Sequence, residues 1–249
     1  MFKYKFIFRI LILLISGIFF LFGSCSKSDC FNSGGKISEE TRVVEFFDKI
    51  EVQGYFKIVL ENNSINSIKI RTKKDFISNI KTTIKDSVLI LEDQTKCNFT
   101  RPSANPPELI IGTNFLREIH VYQPVSLSTT DTLKLNNLLI RVYTEISDCN
   151  IILQTEAIAF ETWTNATGNY YLSGKTTGLN MLIDGPGFVD ARNLISDYAA
   201  IRTVTMNDIY VTTTYSITAN IESKGNVIVY GNPQEIKENA KSTGKIILR

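Results

Sequence analysis

His120 is the only histidine in this 249-residue chain, so a serine or cysteine nucleophile has one imidazole available as its base. It stands in Glu118-Ile119-His120-Val121-Tyr122, a period-two alternation, where a histidine packs or faces solvent far more readily than it activates a nucleophile. Carboxylate chemistry is the second candidate: Asp184 and Asp190 flank Gly185-Pro186-Gly187, with Glu161 and Glu222 elsewhere. Turns supply the same letters without any chemistry. Aromatic side chains suit binding. Trp163, Tyr171 and Tyr210 read as outward-facing and together would form a ligand platform for sugar rings or a partner protein. Oxygen ligands recur at Asn150, Asn169, Asp208 and Asn226, but amides carry too little charge for tight calcium binding, and a stacked hydrogen-bonding ladder is the plainer reading. No cofactor or metal is expected.

The chain begins with Lys3, Lys5 and Arg9, an apolar run from Ile10 to Phe22, and then Gly23-Ser24-Cys25, the pattern of an export signal. As a helix that run rises roughly 21 Å, too short for a hydrocarbon core of about 30 Å. Leu21-Phe22-Gly23-Ser24-Cys25 resembles a bacterial lipobox, in which lipid is attached to the cysteine thiol and the chain is cut just before it. The expectation is a signal peptide over 1–24, lipidation of Cys25 and membrane attachment through that anchor, stable if more than one acyl chain is carried. Ser26, rather than Asp, after the cysteine points to the outer membrane. An ordinary secreted protein is the alternative. Cys30, Cys97 and Cys149 remain; in an oxidising compartment a disulfide between Cys30 and Cys97 is expected, leaving Cys149 over. No two of them have zinc-ligand spacing. Losing three of the 27 basic side chains with the signal leaves them one short of the 25 acidic ones. A near-neutral chain without a basic block lacks the footprint of a nucleic-acid binder.

What must position these residues is β structure. Residues 25–40 read as a tether, and beyond them apolar and polar residues alternate: Phe56, Ile58 and Leu60, then Ile68 and Ile70, then Val88 and Ile90. One helical turn is expected near Asp75, with Asp75 as its cap. In the second half, anchors Cys149, Gly168, Gly187, Asn207 and Gly225 recur at intervals of 18 to 20 residues. Positions two and four beyond each anchor are apolar, and the position between them, occupied by Ile152, Tyr171, Asp190, Tyr210 and Ile228, reads as outward. Anchors of glycine and asparagine suggest corners with left-handed backbone. A period near 19 with a corner and short strands is what a coil of stacked parallel strands needs, whereas a sandwich has no reason to keep register over five units. The fold class is therefore all-β, a parallel β-helix or β-solenoid, with the domain over 41–249, more irregular over 41–125 and with regular rungs over 126–233.

Three stretches carry a family resemblance: Thr41 to Val52, Phe56-Lys57-Ile58-Val59-Leu60, and Gly225 to Pro233. They are similar to the DUF2807 family, also described as putative auto-transporter adhesin, head GIN domain, found as envelope lipoproteins of the Bacteroidota. The resemblance implies a right-handed parallel β-helix. Asp86-Ser87-Val88 and Asp131-Thr132-Leu133 resemble the O-glycan acceptor motif of the same bacteria, with Ser87 and Thr132 as acceptors. The expected function is a non-enzymatic, envelope-anchored binding, adhesion or structural module whose partner is a glycan or an envelope protein. A polysaccharide lyase or hydrolase on the same fold is the alternative.

Overall fold

The computed structural model describes residues 35–95, 105–144 and 147–249. Cys25, Cys30, Cys97 and the segment expected to be an export signal lie outside them. Among the described residues no helix is long and apolar enough to cross a membrane. The fold is a parallel β-solenoid of about 6 turns.

Its regular part rests on four long strands laid side by side in parallel, β12 (Ser147–Thr162), β13 (Asn169–Ile183), β14 (Phe188–Thr203) and β15 (Ile209–Ile221). Each has two halves. The first half of β12 stacks on β9 (Val125–Thr129) and β10 (Leu133–Lys134), the second on β11 (Asn137–Val142). At the other end β16 (Val227–Tyr230) and β17 (Glu235–Ala240) take the two halves of β15, and β18 (Ile246–Leu248) adds to β16. Alternation sends one side chain inward for each one sent out, so successive rungs build apolar columns. Tyr170, Val189, Ile209 and Val227 form one, and Leu172, Ala191, Val211 and Val229 are as deeply buried.

Register corrects the first of the expected anchors. Cys149 pairs with Tyr170 and Ile151 with Leu172, so Ser147, two residues earlier, occupies the place assigned to Cys149. Rungs differ in length, and the rung from Cys149 to Tyr170 is 21 residues against 19 from Tyr170 to Val189. Of the anchors only Gly168 has a positive φ, at 140°. Glycine is required at Gly187 and Gly225 for space instead: a Cβ there would run into the Tyr170 ring or the Asn207 carbonyl of the neighbouring rung. Ile228 is also buried, lying between Tyr210 and Ile247 in its stack, where an outward residue was expected.

The corner between the two halves of each long strand is closed by hydroxyls. Thr155 points Oγ1 at the carbonyls of Asn136 (2.6 Å) and Ala157 (3.0 Å), and Thr176 at that of Gly178 (3.0 Å). Ser196 donates to Thr212 (2.9 Å), and Thr213 lies within 3.1 and 3.2 Å of the Asp197 and Ser216 carbonyls. All four are buried, which is tolerable because each hydroxyl is spent on backbone that turns away from the ladder.

The first half departs from chain order. β2 (Lys49–Gln53) and β3 (Phe56–Glu61) make a rung, but it lies between two later ones. On one side are β6 (Val88–Asp93) and β7 (Glu108–Gly112), on the other β8 (Glu118–Val121) and β9. Antiparallel β1 (Ile37–Val43), β4 (Ser67–Lys73) and β5 (Ile80–Lys85) flank this block. The expected helical turn is present as α1 (Lys74–Ile77), with Lys73, not Asp75, at its N-cap. No side-chain cap is present; instead the Lys74 amide donates to the carbonyl of Lys36, the residue before β1 (3.0 Å).

Candidate functional site

Three rungs end in an aromatic residue just past the strand. The amides of Tyr122, Tyr143 and Trp163 donate to the carbonyls of Val52, Val121 and Val142 on the rung beneath, at 2.9–3.0 Å, which sets the three side chains one above another. Tyr122 and Tyr143 stack with centroids 4.9 Å apart and planes 6° from parallel, and Trp163 lies 5.5 Å from Tyr143 at 23°. In such a ladder the ring faces are used on one another. The stack leaves two outer faces, that of Tyr122 and that of Trp163, on side chains that are both partly exposed; the Trp163 face lies towards the rung that carries Asp184.

Beside this ladder runs a charged column in register, Glu51, His120, Arg141 and Glu161. Arg141 Nε donates to Glu161 Oε2 at 2.6 Å, a bond that raises the guanidinium pKa further. His120 is buried under the rings, meeting Tyr122 and Tyr143 edge-on at 6.2 and 6.1 Å. Its Nε2 is 3.1 Å from Glu118 but out of line for a hydrogen bond. Burial, and then the Lys49 charge, lower its pKa from 6.5, so the ring is neutral at physiological pH. This is the packed histidine of an alternating strand. Burial, then the Glu51 charge, raise the pKa of Tyr122.

Tyr171 and Tyr210 lie elsewhere, in one column with Asp190 between them. Phe188 touches both rings, at 6.0 and 5.7 Å. Arg192 lies 4.6 Å over Tyr210 and 5.6 Å over Tyr230, and its Nη2 is 2.9 Å from Asp190. The three aromatics expected to form one platform thus divide between two: Trp163 follows the second half of a rung, whereas Tyr171 and Tyr210 stand on first halves. Tyr122, Tyr143 and Phe188 complete the ladders. Spacings of 21 and 20 residues from Tyr122 through Tyr143 to Trp163 were the signal for the first.

The carboxylates are dispersed and engaged. Glu161 is held by Arg141, and Glu222 by Arg202 (2.8 Å) and Lys241 (3.5 Å), with the Arg202 hydrogen bond holding Glu222 below the usual carboxylate range. Asp190 pairs with Arg192, and Asp184 accepts from Thr164 (3.4 Å). Among the described residues no group of three His, Cys, Asp or Glu is placed to hold a metal. The Asx corner is a hydrogen-bonding ladder: Asn169 donates through N and Nδ2 to Asp148 Oδ1 (2.9 and 3.1 Å), and Asn226 likewise to Asp208 (2.8 and 2.9 Å). Asp148, not Asn150, belongs to it, by the same two-residue offset. Cys149 is free and fully buried, and burial pushes its thiol pKa up, which suppresses thiolate chemistry. Ser87 and Asp86, both at positive φ (63° and 51°), form the two-residue turn joining β5 to β6. Thr132 sits in the turn before β10, its carbonyl accepting from Asn62 Nδ2 at 2.6 Å.

No curated protein matches the chain in sequence. Among solved structures it is similar to a putative adhesin from Bacteroides fragilis, with TM-score 0.72 and 20% identity over 86% of this chain and 97% of that one. A putative adhesin and a putative lipid binding protein from Parabacteroides distasonis give TM-scores of 0.61 and 0.58 at 13% and 14% identity, each covering 86% of this chain and 98% of its own. The family model described as putative auto-transporter adhesin, head GIN domain, matches residues 46–233, and the chain belongs to that DUF2807 family.

Proposed function

We propose that this chain is a non-enzymatic binding module of the adhesion type, held at the outer membrane through lipid on Cys25, whose solenoid presents an aromatic and charged face to a glycan or an envelope protein. The observation that carries this reading is the ladder Tyr122, Tyr143, Trp163, ordered by backbone bonds and flanked by the Arg141–Glu161 pair, with one indole face left open. Such rigid aromatics with fixed polar neighbours suit recognition. The family description and the adhesin names of the structural neighbours support it. Carboxylates each committed to a cation or a hydroxyl do not suit acid-base hydrolysis, which needs one of them protonated.

The test is a panel of immobilised polysaccharides and outer-membrane proteins exposed to the full chain, scored for retention and for released product. Retention without product is expected, weakened at least tenfold by Trp163→Ala when the ligand uses the indole. Release of reducing or unsaturated sugar ends would replace this reading with the carbohydrate-active enzyme. Globomycin treatment of expressing cells tests the anchor: accumulation of the uncut precursor is expected, and normal processing would refute lipidation at Cys25.

A further inference from the structure

We propose a second, separate binding site for neutral oligosaccharide in the cavity at the solenoid corner beside the β7–β8 loop, an assignment that rests on the binding-module reading and gives it a location and a ligand class. The cavity holds about 700 Å³, within the range of roughly 300–1,000 Å³ of small-ligand sites. Its walls come from three separate stretches: the loop 113–117, the corner between β10 and β11, and the corner halfway along β12. Buried Leu116 and Leu135 anchor two of them. Arg117 anchors the loop itself, with Nη2 2.7 Å from Asp48 Oδ2 and its amide donating to the Asp48 carbonyl. The third wall is tied to the second by the Thr155 hydroxyl, which reaches the Asn136 carbonyl at 2.6 Å.

Asn114, Asn136, Asn137 and Gln154 line this frame, so four carboxamides border it. Among the described residues none of the four is spent on a hydrogen bond within the protein. Lys134 and Glu156 also line the cavity, again with no ion pair among the described residues. At the Asx corner, by contrast, Asn169 and Asn226 are consumed by the ladder and Asn207 by the Pro186 carbonyl. The corner one rung further on, Lys175-Thr176-Thr177, carries no amide.

The donor set selects the ligand. A carboxamide presents two donors and an acceptor side by side, which matches a sugar hydroxyl that both gives and takes a hydrogen bond. Of the three charges lining the cavity, Lys134 and Glu156 offset each other and the Arg117 guanidinium is paired with Asp48, so the cavity has little bias for a phosphate or a polyanion. Phe115, about half exposed at the rim, offers an apolar ring against which the C–H face of a pyranose packs. An extended peptide would seek an unpaired strand edge, but β12 is bonded on both sides here, to β10 and β11 and to β13.

The experiment uses the full chain in detergent and a panel of neutral tri- and tetrasaccharides of glucose, galactose, mannose and N-acetylglucosamine, with sialylated and sulfated counterparts. The wild type is expected to retain at least one neutral member. Asn136→Ala with Gln154→Ala, and separately Phe115→Ala, should weaken that retention at least tenfold with Tm unchanged, while Lys237→Ala on the exposed β17 leaves it within twofold. Retention of charged members alone, unchanged retention in both cavity variants, or no retained oligosaccharide would each overturn the assignment. If Trp163→Ala abolishes retention and the cavity variants do not, the cavity fails while the binding-module reading stands. Product release would sink that reading independently of where the sugar sits.

Discussion

Gly168→Ala is the sharpest test of rung-to-rung packing. Gly168 has φ of 140°, a region L side chains rarely occupy, and a Cβ built there falls inside the van der Waals envelope of the Ser147 carbonyl oxygen on the rung below. Because the obstacle is backbone, no rotamer change relieves it. The rungs must part, and two bonds at this corner, Ser147 N–H to Thr167 O (3.0 Å) and Phe188 N–H to Gly168 O (2.9 Å), are stretched with them. At about 1 kcal/mol net per hydrogen bond, plus ~1–3 kcal/mol for the strained dihedral, the loss is about 3–5 kcal/mol. Gly178 is the matched control. Its Cβ would meet Ala157 Cβ and the Glu156 oxygen at 3.8 Å, ordinary contact, with no positive φ. Gly178→Ala should be neutral or stabilise by up to ~1 kcal/mol through the unfolded chain. Urea unfolding followed by circular dichroism compares the two; in Tm the Gly168 variant should fall on the order of 10 °C, at ~2–4 °C per kcal/mol for this size. A loss below ~1 kcal/mol at Gly168, or an equal loss at Gly178, would refute the stacking argument.

Stability should fall as pH drops below 6.5. The folded His120 pKa is lowered by burial, so below that pH the unfolded chain binds the extra proton first. Because this is the sole histidine, His120→Gln should flatten the melting curve between about pH 7.5 and pH 5.5, and parallel profiles for the two proteins would contradict the assignment. Thr213→Val removes the donor facing the Asp197 and Ser216 carbonyls and should cost ~1–3 kcal/mol by denaturant titration, against ~0.5 or less for Thr218→Val on the outer surface. Val189→Asn buries an amide in the apolar column and should cost about 3–4 kcal/mol, whereas Tyr210→Asn loses only a ring contact with Phe188 and Arg192, about 1 kcal/mol. Equal losses at Val189 and Tyr210 would rule out the inward and outward columns.

The coil was legible because parallel stacking demands the same residue class at the same place in every rung. Val189, Ile209 and Val227 satisfy that demand at near-constant spacing, so their column could be read directly. Where rung length varies the reading slips: the long rung from Cys149 to Tyr170 displaced the first unit by two residues, and with it Asn150 for Asp148. Trp163 was legible as an outward-facing aromatic, but its stack was not, since Tyr122 and Tyr143 lie partly in the half without a clear period. The hydroxyl corner escaped for a different reason. Thr155, Thr176, Ser196 and Thr213 look like surface residues until the carbonyls they face are known. The cavity amides, spread from Asn114 to Gln154, share no local motif at all; only the corner brings them together.

The place of β2 and β3 between β6–β7 and β8–β9 decides how the chain can assemble. A solenoid built in chain order could add rungs as synthesis proceeds, each on a finished template. Here the earliest rung has both edges satisfied only when residue 129 has joined, so β2 to β9 make one nucleus of non-local pairings, whose loop closures are slow. Beyond it, β10 through β18 can zip on one rung at a time, and thermal fraying is expected to start from the opposite end. The two parts of the coil therefore have different tolerances. Whole rungs at the C-terminal end can be removed with a graded loss, whereas a cut within the nucleus leaves no template for any rung to follow.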